Sequence, residues 1–147
     1  MARYVATIRT PRSAVEVFDF MADFRNVAEW DHSVRRIVQI DGDGAGAGAV
    51  FDVTISRPGR DLTLRYRTVE FDPPHGVRFV AKDRWITSDD LVTVTADGSG
   101  ARVVYDARLV PNGPLRVVDP LLGPLFGRFA ARAADGLRGA LDGVSED

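Results

Sequence analysis

The stretch from Val34 to Val110 constrains the fold of this chain more than any other feature. Short runs of alternating apolar and polar residues fill it, and clusters of Gly, Pro and Asp interrupt it at residues 42–48, 57–60, 72–76 and 97–100. This pattern is typical of antiparallel strands joined by hairpins and not of strand–helix–strand units. With one more strand at Arg3–Arg9, we predict a curved antiparallel sheet of about seven strands.

An amphipathic stripe near the end of the chain provides the cover that one face of such a sheet needs. Its apolar residues recur at intervals of mostly three and four: Leu115, Val118, Leu122, Leu125, Phe126, Phe129, Ala133, Leu137, Leu141 and Val144. This periodicity predicts a helix whose apolar face lies against the sheet. Asp119 and Pro120 suit the cap and the first position of a helix. We therefore predict a short helix from Pro114, a break near Pro120, a long helix to about Gly143, and a disordered tail at 145–147.

Two short helices are predicted between the first strand and the meander. Thr10 and Pro11 suit a helix cap and a first helical residue, and apolar residues then recur at helical spacing. Asp23 can cap a second short helix that ends near Trp30. The predicted fold class is therefore α+β, with a strand, two short helices, six strands and one long helix in order.

Length and charge limit the number of domains and the classes of partner. The 147 residues suit a single domain, 1–147, and a hydrophobic content of 45% suffices for one core. Because 19 basic and 21 acidic residues give a net charge of -2, we expect no nucleic-acid partner. With no cysteine and two histidines, we expect neither a metal site nor a cofactor. No secretory signal or apolar run of membrane-spanning length is present, so we expect a cytoplasmic protein without stable membrane insertion.

Four polar residues are candidates for acid–base chemistry. In the predicted strand from Trp85 to Thr95, Asp90 shares the face of the apolar residues if the strand is regular, and it is exposed if the strand is bulged. An inward carboxyl has a raised pKa and can transfer a proton near neutral pH. Tyr66 and Tyr105 fall on the apolar faces of their strands, where each hydroxyl needs a partner from the protein, water or a ligand. His32 is either a catalytic group or a solvated loop residue.

The spacing of several residues resembles that of a known superfamily. The residues that carry this resemblance are Pro11, Val15, Phe18, Asp23, Asn26 and Trp30, then Gly48 before Val50 and Phe51, and finally the amphipathic tail. They are similar to the START-like (SRPBCC) superfamily, and within it to the polyketide cyclase/dehydrase-type family of small bacterial proteins. The resemblance covers essentially the whole chain, and its motifs are structural rather than catalytic. It implies a helix-grip fold, in which the curved sheet wraps around the long C-terminal helix with a ligand pocket between them.

The resemblance also implies which residues contact a ligand. These expected ligand-binding residues are Trp30, Phe51, Val53, Tyr66, Phe79, Trp85, Tyr105, Leu122, Phe126 and Phe129. The implied function is to bind a small hydrophobic or aromatic molecule of polyketide-like or lipid-like kind. Two alternatives stay open: a polyketide cyclase or dehydratase that uses the acid–base residues above, and a protein-interaction module with a filled interior. Monomer and homodimer also remain open.

Overall fold

A computed structural model of the chain describes residues 2–57, 59–113 and 119–146, apart from the side chains of 119–123 and 125. The strands are β1 (Ala2–Thr10), β2 (Val34–Asp41), β3 (Val50–Ile55), β4 (Leu62–Asp72), β5 (Gly76–Lys82), β6 (Ile86–Asp97), β7 (Gly100–Pro111) and β8 (Val144–Ser145). The helices are α1 (Ala14–Ala22), α2 (Val27–Trp30) and α3 (Asp119–Ala140), and a 3-10 turn at Phe24–Asn26 leads directly into α2. Leu115, Val118 and the short helix predicted from Pro114 lie outside the described residues.

The strands form one antiparallel sheet of eight strands in the order β2-β3-β4-β5-β6-β7-β1-β8. From β2 to β7 each strand pairs with the next one along the chain, as the predicted meander requires, and β1 joins beside β7. The α3 helix packs against β1 and β7, and α1 packs against β5, β6 and β7. Together these elements form the helix-grip fold, so the predicted architecture is confirmed.

The β6 strand is regular along its whole length. Its pairing with β7 runs from Ile86 to Asp97 without a shift of register. Because side chains alternate between the faces of a strand, Ser88, Asp90 and Val92 all point to the buried face. The regular form of the strand, and not the bulged alternative, is therefore the one that the chain adopts.

The β4 strand changes register once. Leu64, Tyr66 and Thr68 are buried, and the pairing with β5 shifts between Thr68 and Glu70. A bulge of this kind re-aims the residues after it, so Phe71 packs against the core. The apolar side chains of β4 therefore change face between Thr68 and Glu70.

The start of α1 differs from the prediction. Ser13 caps the helix, because its Oγ accepts a hydrogen bond from the Glu16 amide at 3.2 Å. Thr10, the predicted cap, ends β1 instead, and its hydroxyl donates to the Leu141 carbonyl at 2.5 Å. The predicted role of Asp23 is confirmed for the 3-10 turn, where its carboxylate accepts from the Arg25 amide at 3.1 Å.

The end of the chain also differs from the prediction. Residues Val144–Ser145 form β8 on the outer edge of β1, and Glu146 pairs with the Arg102 guanidinium at 2.8 Å. The prediction of disorder is therefore wrong for residues 145 and 146, and Asp147 lies outside the described residues. Gly143 makes the edge pairing possible, since a Cβ there would lie only 2.7 Å from the Arg9 carbonyl oxygen. Val144 is accordingly exposed and does not belong to the apolar stripe of α3.

Candidate functional site

A cavity of about 330 Å³ lies between α3 and the concave face of the sheet. Side chains from β1, β3, β4, β6 and β7 form one wall, α3 forms the opposite wall, and the 3-10 turn and α2 close one end. Most of its surface is apolar. Its volume lies at the lower end of the range for small-molecule sites.

Small side chains on both walls create this space. Ala6 and Ala107 face the cavity from β1 and β7, and Ala130, Ala133 and Ala134 face it from α3. Folded interiors are otherwise close-packed, so a volume of this size persists only where neighbouring side chains are too short to fill it. The alanines therefore leave the space between the sheet and the helix unfilled at this end of the concave face.

We infer that the mouth of the cavity lies between the β3–β4 hairpin and α3, because the lining residues Arg57 and Phe129 are exposed there. Ile55, Arg57 and Leu62 contribute from the hairpin, and Phe126 and Phe129 contribute from the helix. Phe129 lines the cavity and is also 45% exposed, which is unusual for a large aromatic side chain. The entrance is thus bordered by apolar groups that an entering ligand would cover.

The β6 strand carries the polar part of the wall. The Tyr105 hydroxyl donates a hydrogen bond to Asp90 Oδ2 at 2.8 Å, and the Tyr66 hydroxyl donates to Ser88 Oγ at 2.8 Å. All four side chains line the cavity. Ser88 lies between Ala81 on β5 and Leu109 on β7. The short Ala81 side chain leaves room for Tyr66 to reach across β5.

Burial raises the pKa of Asp90 to about 7. The Tyr105 hydrogen bond acts in the opposite direction, because it stabilises the carboxylate, and the negative charges of Asp89, Asp31 and Asp106 raise the pKa further. Burial also raises the pKa of Tyr66 and Tyr105 above the ordinary phenolic value. The two phenols therefore stay protonated at neutral pH, whereas Asp90 is close to its titration midpoint.

Two further residues complete the polar and aromatic lining near α2. Trp30 lies edge-to-face against Tyr105, with ring centroids 5.6 Å apart. Asp31 Oδ1 accepts hydrogen bonds from the Ser33 amide at 3.0 Å and the Ser33 hydroxyl at 2.7 Å. Gly136 of α3 allows this arrangement, since a Cβ at that position would lie 1.9 Å from the Trp30 carbonyl oxygen. Helix α3 and α2 consequently meet backbone to backbone.

The structure brings most of the predicted site residues to the cavity and leaves the others elsewhere. Those at the wall are Trp30, Val53, Tyr66, Asp90, Tyr105, Phe126 and Phe129. Phe51 and Phe79 do not reach it, because the Phe24 ring lies over them with centroids 6.0 and 4.3 Å away. Leu122 belongs to α3, but its side chain lies outside the described part of the structure.

The remaining predicted residues, Trp85 and His32, are exposed. Trp85 lies in the turn between β5 and β6, is 41% exposed and stacks under the Arg84 guanidinium at 4.6 Å. A hairpin after Lys82 turns this residue away from the interior, and the sequence analysis had placed it in a strand. His32 is exposed in the turn after α2 and is absent from the cavity wall.

Sequence reasoning missed Ser88, Asp31, Tyr4 and the alanines of the wall. Ser88 could have been predicted from the sequence, because this residue precedes Asp90 by two positions and therefore shares its face of β6. The alanines have no such signal, since small residues occur on packed and hollow surfaces alike. Within the described residues, no group of three His, Asp or Glu side chains is arranged to hold a metal ion. No helix in the same residues has both the length and the apolar character to span a bilayer.

The fold and the site define a helix-grip protein with an internal cavity. The chain belongs to the family described as polyketide cyclase / dehydrase and lipid transport, whose model matches residues 1–142. No curated protein matches the chain significantly.

Solved structures with the same fold include proteins of different kinds. A START superfamily protein from Mycobacterium smegmatis has a TM-score of 0.77 at 14% identity, with 97% of this chain and 98% of that chain covered. The Zhui aromatase/cyclase from a Streptomyces species has a TM-score of 0.76 at 13% identity, with 95% and 93% covered. A major latex-like protein from Panax ginseng has a TM-score of 0.64 at 13% identity, with 95% and 97% covered. At these identities the similarity shows the fold alone.

Proposed function

We propose that the protein binds a small hydrophobic or aromatic molecule in the cavity between α3 and the sheet. The observation that carries the proposal is the hollow, mainly apolar interior with a polar cluster on one wall. An apolar ligand that enters such a space removes its own surface and that of the wall from water, which contributes roughly 25 cal/mol per Å² of apolar area. The few polar groups then fix its orientation. The family description, which includes polyketide and lipid ligands, supports the same class of molecule.

Uptake of a neutral fluorescent dye tests this proposal. N-phenyl-1-naphthylamine, which fluoresces in apolar surroundings, is titrated into the wild-type protein and into two variants. Ala107→Phe fills the cavity from β7, whereas Ala96→Phe adds the same ring at an exposed position of β6. We expect roughly tenfold weaker binding by Ala107→Phe, because the added ring occupies part of the cavity volume, and nearly unchanged binding by Ala96→Phe, because that position is exposed. Absence of dye uptake by the wild type, or equal uptake by both variants, would contradict the proposal.

A second candidate function is the cyclisation or dehydration of a polyketide-like substrate. The observation in its favour is that the Asp90 carboxyl has a pKa of about 7 and forms a hydrogen bond with Tyr105 inside the cavity. Such a group can accept and return a proton near neutral pH, with Tyr105 and Tyr66 as hydrogen-bond donors to a carbonyl. His32 has no part in this proposal because it is exposed.

A poly-β-ketone thioester analogue distinguishes catalysis from binding. If the enzyme candidate is right, the wild-type protein accelerates loss of the open-chain compound, and Asp90→Asn loses most of this rate but retains dye uptake. Equal rates in the wild type, in the variant and in buffer would eliminate the enzyme candidate. A protein-interaction module was expected to have a filled interior, and the cavity leaves that alternative without an observation in its favour.

A further inference from the structure

The charged groups that face the cavity are mostly acidic. Asp90 and Asp31 carry carboxyl groups at its wall, and Arg57 carries the one positive charge among the described lining residues. Arg57 is exposed at the mouth, and its Nε donates to the Arg60 carbonyl at 3.0 Å. The interior of the cavity is therefore acidic, and its positive charge lies at the solvent boundary.

Neither carboxyl group has a cationic partner among the residues that the structure describes. Asp90 Oδ2 accepts from the Tyr105 hydroxyl, and Asp31 Oδ1 accepts from the amide and hydroxyl of Ser33. Asp90 is 91% buried, since only 9% of its surface is exposed, and Oδ1 has no hydrogen-bond partner in the same described residues. A buried carboxylate without a counter-charge is unfavourable, so a ligand that supplies the positive charge removes this penalty.

Charges on the surrounding elements increase the negative potential at Asp90. Asp89 precedes it on β6 and Asp106 lies on β7. The negative charges of both raise the pKa of Asp90, as the charge of Asp31 does. These two carboxylates are paired on the outer face, with Arg78 at 2.6 Å and Arg3 at 2.8 Å respectively. The side chains that α3 is described as contributing to the cavity are Phe, Ala and Leu, so no cation reaches Asp90 from that wall. From β4 and β7 the titratable neighbours are Tyr66 and Tyr105, which are neutral.

Aromatic rings surround the same part of the cavity. Trp30 and Tyr105 are in edge-to-face contact, and the Tyr66 ring lies 4.8 Å from that of Phe24. The faces of such rings are negative and attract ammonium groups, an effect that strengthens when water is excluded. Carboxylate and aromatic groups together therefore favour an organic cation over a neutral molecule of the same shape.

This combination leads to an inference about the ligand, which rests on the proposed binding function. We propose that the ligand is an aromatic or otherwise hydrophobic amine, whose ammonium group binds the Asp90 carboxylate beside the Trp30 and Tyr105 rings. The apolar wall contacts the hydrocarbon part, and Asp31 adds to the attraction through its charge. Lipid-like or polyketide-like molecules without a basic nitrogen bind more weakly in this cavity.

The pH dependence of binding follows from the same contact. The pKa of Asp90 is about 7, so the carboxyl is mostly protonated at lower pH and ionised at higher pH. An ammonium group prefers the ionised form, and its affinity is reduced by the fraction of protein that is protonated. The amine therefore binds more tightly as the pH rises through 7, whereas a neutral alcohol has no such preference.

Two isosteric probes test the inference: 1-naphthylmethylamine and 1-naphthalenemethanol, measured by isothermal titration calorimetry near pH 8 and near pH 5.5. We expect the amine to bind about tenfold more tightly than the alcohol near pH 8, and this ratio to fall by roughly tenfold near pH 5.5. Circular dichroism verifies that the protein is folded at both pH values. Asp90→Asn is expected to lose most of the preference for the amine and to retain binding of the alcohol.

Asp89→Asn is the matched control, because it removes the same charge one residue away on the outer face of β6. It is expected to retain the preference for the amine. An alcohol that binds as tightly as the amine near pH 8, or an Asp90→Asn variant with undiminished preference, overturns the inference and leaves the proposed function intact. Failure of both probes together with failure of the dye contradicts the proposed function itself.

Discussion

The two ends of the concave face differ in how completely they are filled. Beneath α1 and the 3-10 turn, large side chains pack without interruption, and those with under 2% exposure include Phe51, Phe79, Val77 and Val92. Beneath α3, the same face is hollow and encloses the cavity. One continuous sheet forms both ends, so the strand order does not account for the difference.

Side-chain volume explains this difference. Phe79 on β5 and Ala107 on β7 flank Asp90 on β6, and all three side chains point to the same face. The phenylalanine is covered by Phe24 at the packed end, whereas the alanine borders the cavity together with Ala133 and other residues of α3. The packed end therefore provides most of the core, and the hollow end leaves volume for a ligand.

Removing a ring from the packed end is expected to have the largest effect. Phe79→Ala should lower the free energy of unfolding by about 3 to 5 kcal/mol, because the side chain is 1% exposed and its loss leaves an unfilled space. Urea unfolding measures the change. Phe126→Ala at the hollow end is the matched variant, and it should cost less than about 2 kcal/mol because that ring already borders the cavity. Equal losses of unfolding free energy in the two variants would show that the packed and hollow ends contribute equally to stability.

Removing the charge of Asp90 tests the polar wall of the hollow end. Its pKa of about 7 lies above the ordinary value of 3.8, so the folded protein holds a proton that the unfolded chain releases between these pH values. The stabilisation due to this proton is fully present below about pH 4 and is lost as the pH rises through about 7. Asp90→Asn has no such loss. Its free energy of unfolding relative to the wild type should therefore increase by up to about 3 kcal/mol from pH 4.5 to pH 8.

Urea titrations of both proteins at several pH values measure this difference. Other carboxyl groups, such as Asp52 and Asp106, have lowered pKa values because of their arginine partners, and they destabilise the folded state at low pH. Their contribution is common to both proteins and cancels in the difference. A difference that stays constant with pH would mean that Asp90 is not desolvated in the folded protein.

The contact between α3 and α2 is expected to tolerate no side chain at Gly136. Gly136→Ala should cost about 1 to 3 kcal/mol, because the added Cβ would overlap the Trp30 carbonyl and push α3 away from α2. Gly127→Ala, in the same helix but with open space around it, should instead stabilise by up to about 1 kcal/mol. Thermal unfolding separates the two variants. Similar melting temperatures would disprove the close approach of the two backbones.

The fold was predictable because its signals are local. Hairpin breaks define the meander, and the three-to-four spacing of the apolar residues predicts α3. Errors occurred where a tertiary contact decides the outcome. Thr10 was the expected cap, but its hydroxyl is bound by Leu141 from the other end of the chain, and Val144 pairs with β1 because Gly143 permits the approach. Contacts between residues so far apart in sequence leave no local pattern.

The site was predictable only in part for a related reason. Alternation along a strand gives the face of a residue, which is why Asp90 and Tyr105 could be predicted to point inward. It does not give the position along that face. Phe51 and Phe79 were therefore predicted to contact the ligand, although the Phe24 ring covers them. The acidic character of the cavity also escaped prediction, because it depends on the distance between Asp31, after α2, and Asp90, on β6.

Enlarging one alanine at each end is the smallest and most direct test of the comparison. Ala22 on α1 is 1% exposed within the packed end, and Ala134 on α3 lines the cavity. Ala22→Leu should cost about 1 kcal/mol or slightly more, because the added carbons have no space and force their neighbours apart. Ala134→Leu should change the free energy of unfolding by less than about 1 kcal/mol, in the stabilising direction, since the same carbons enter unfilled volume. If urea unfolding shows equal destabilisation in both variants, the hollow end is as tightly packed as the other, and the cavity has no room for a ligand.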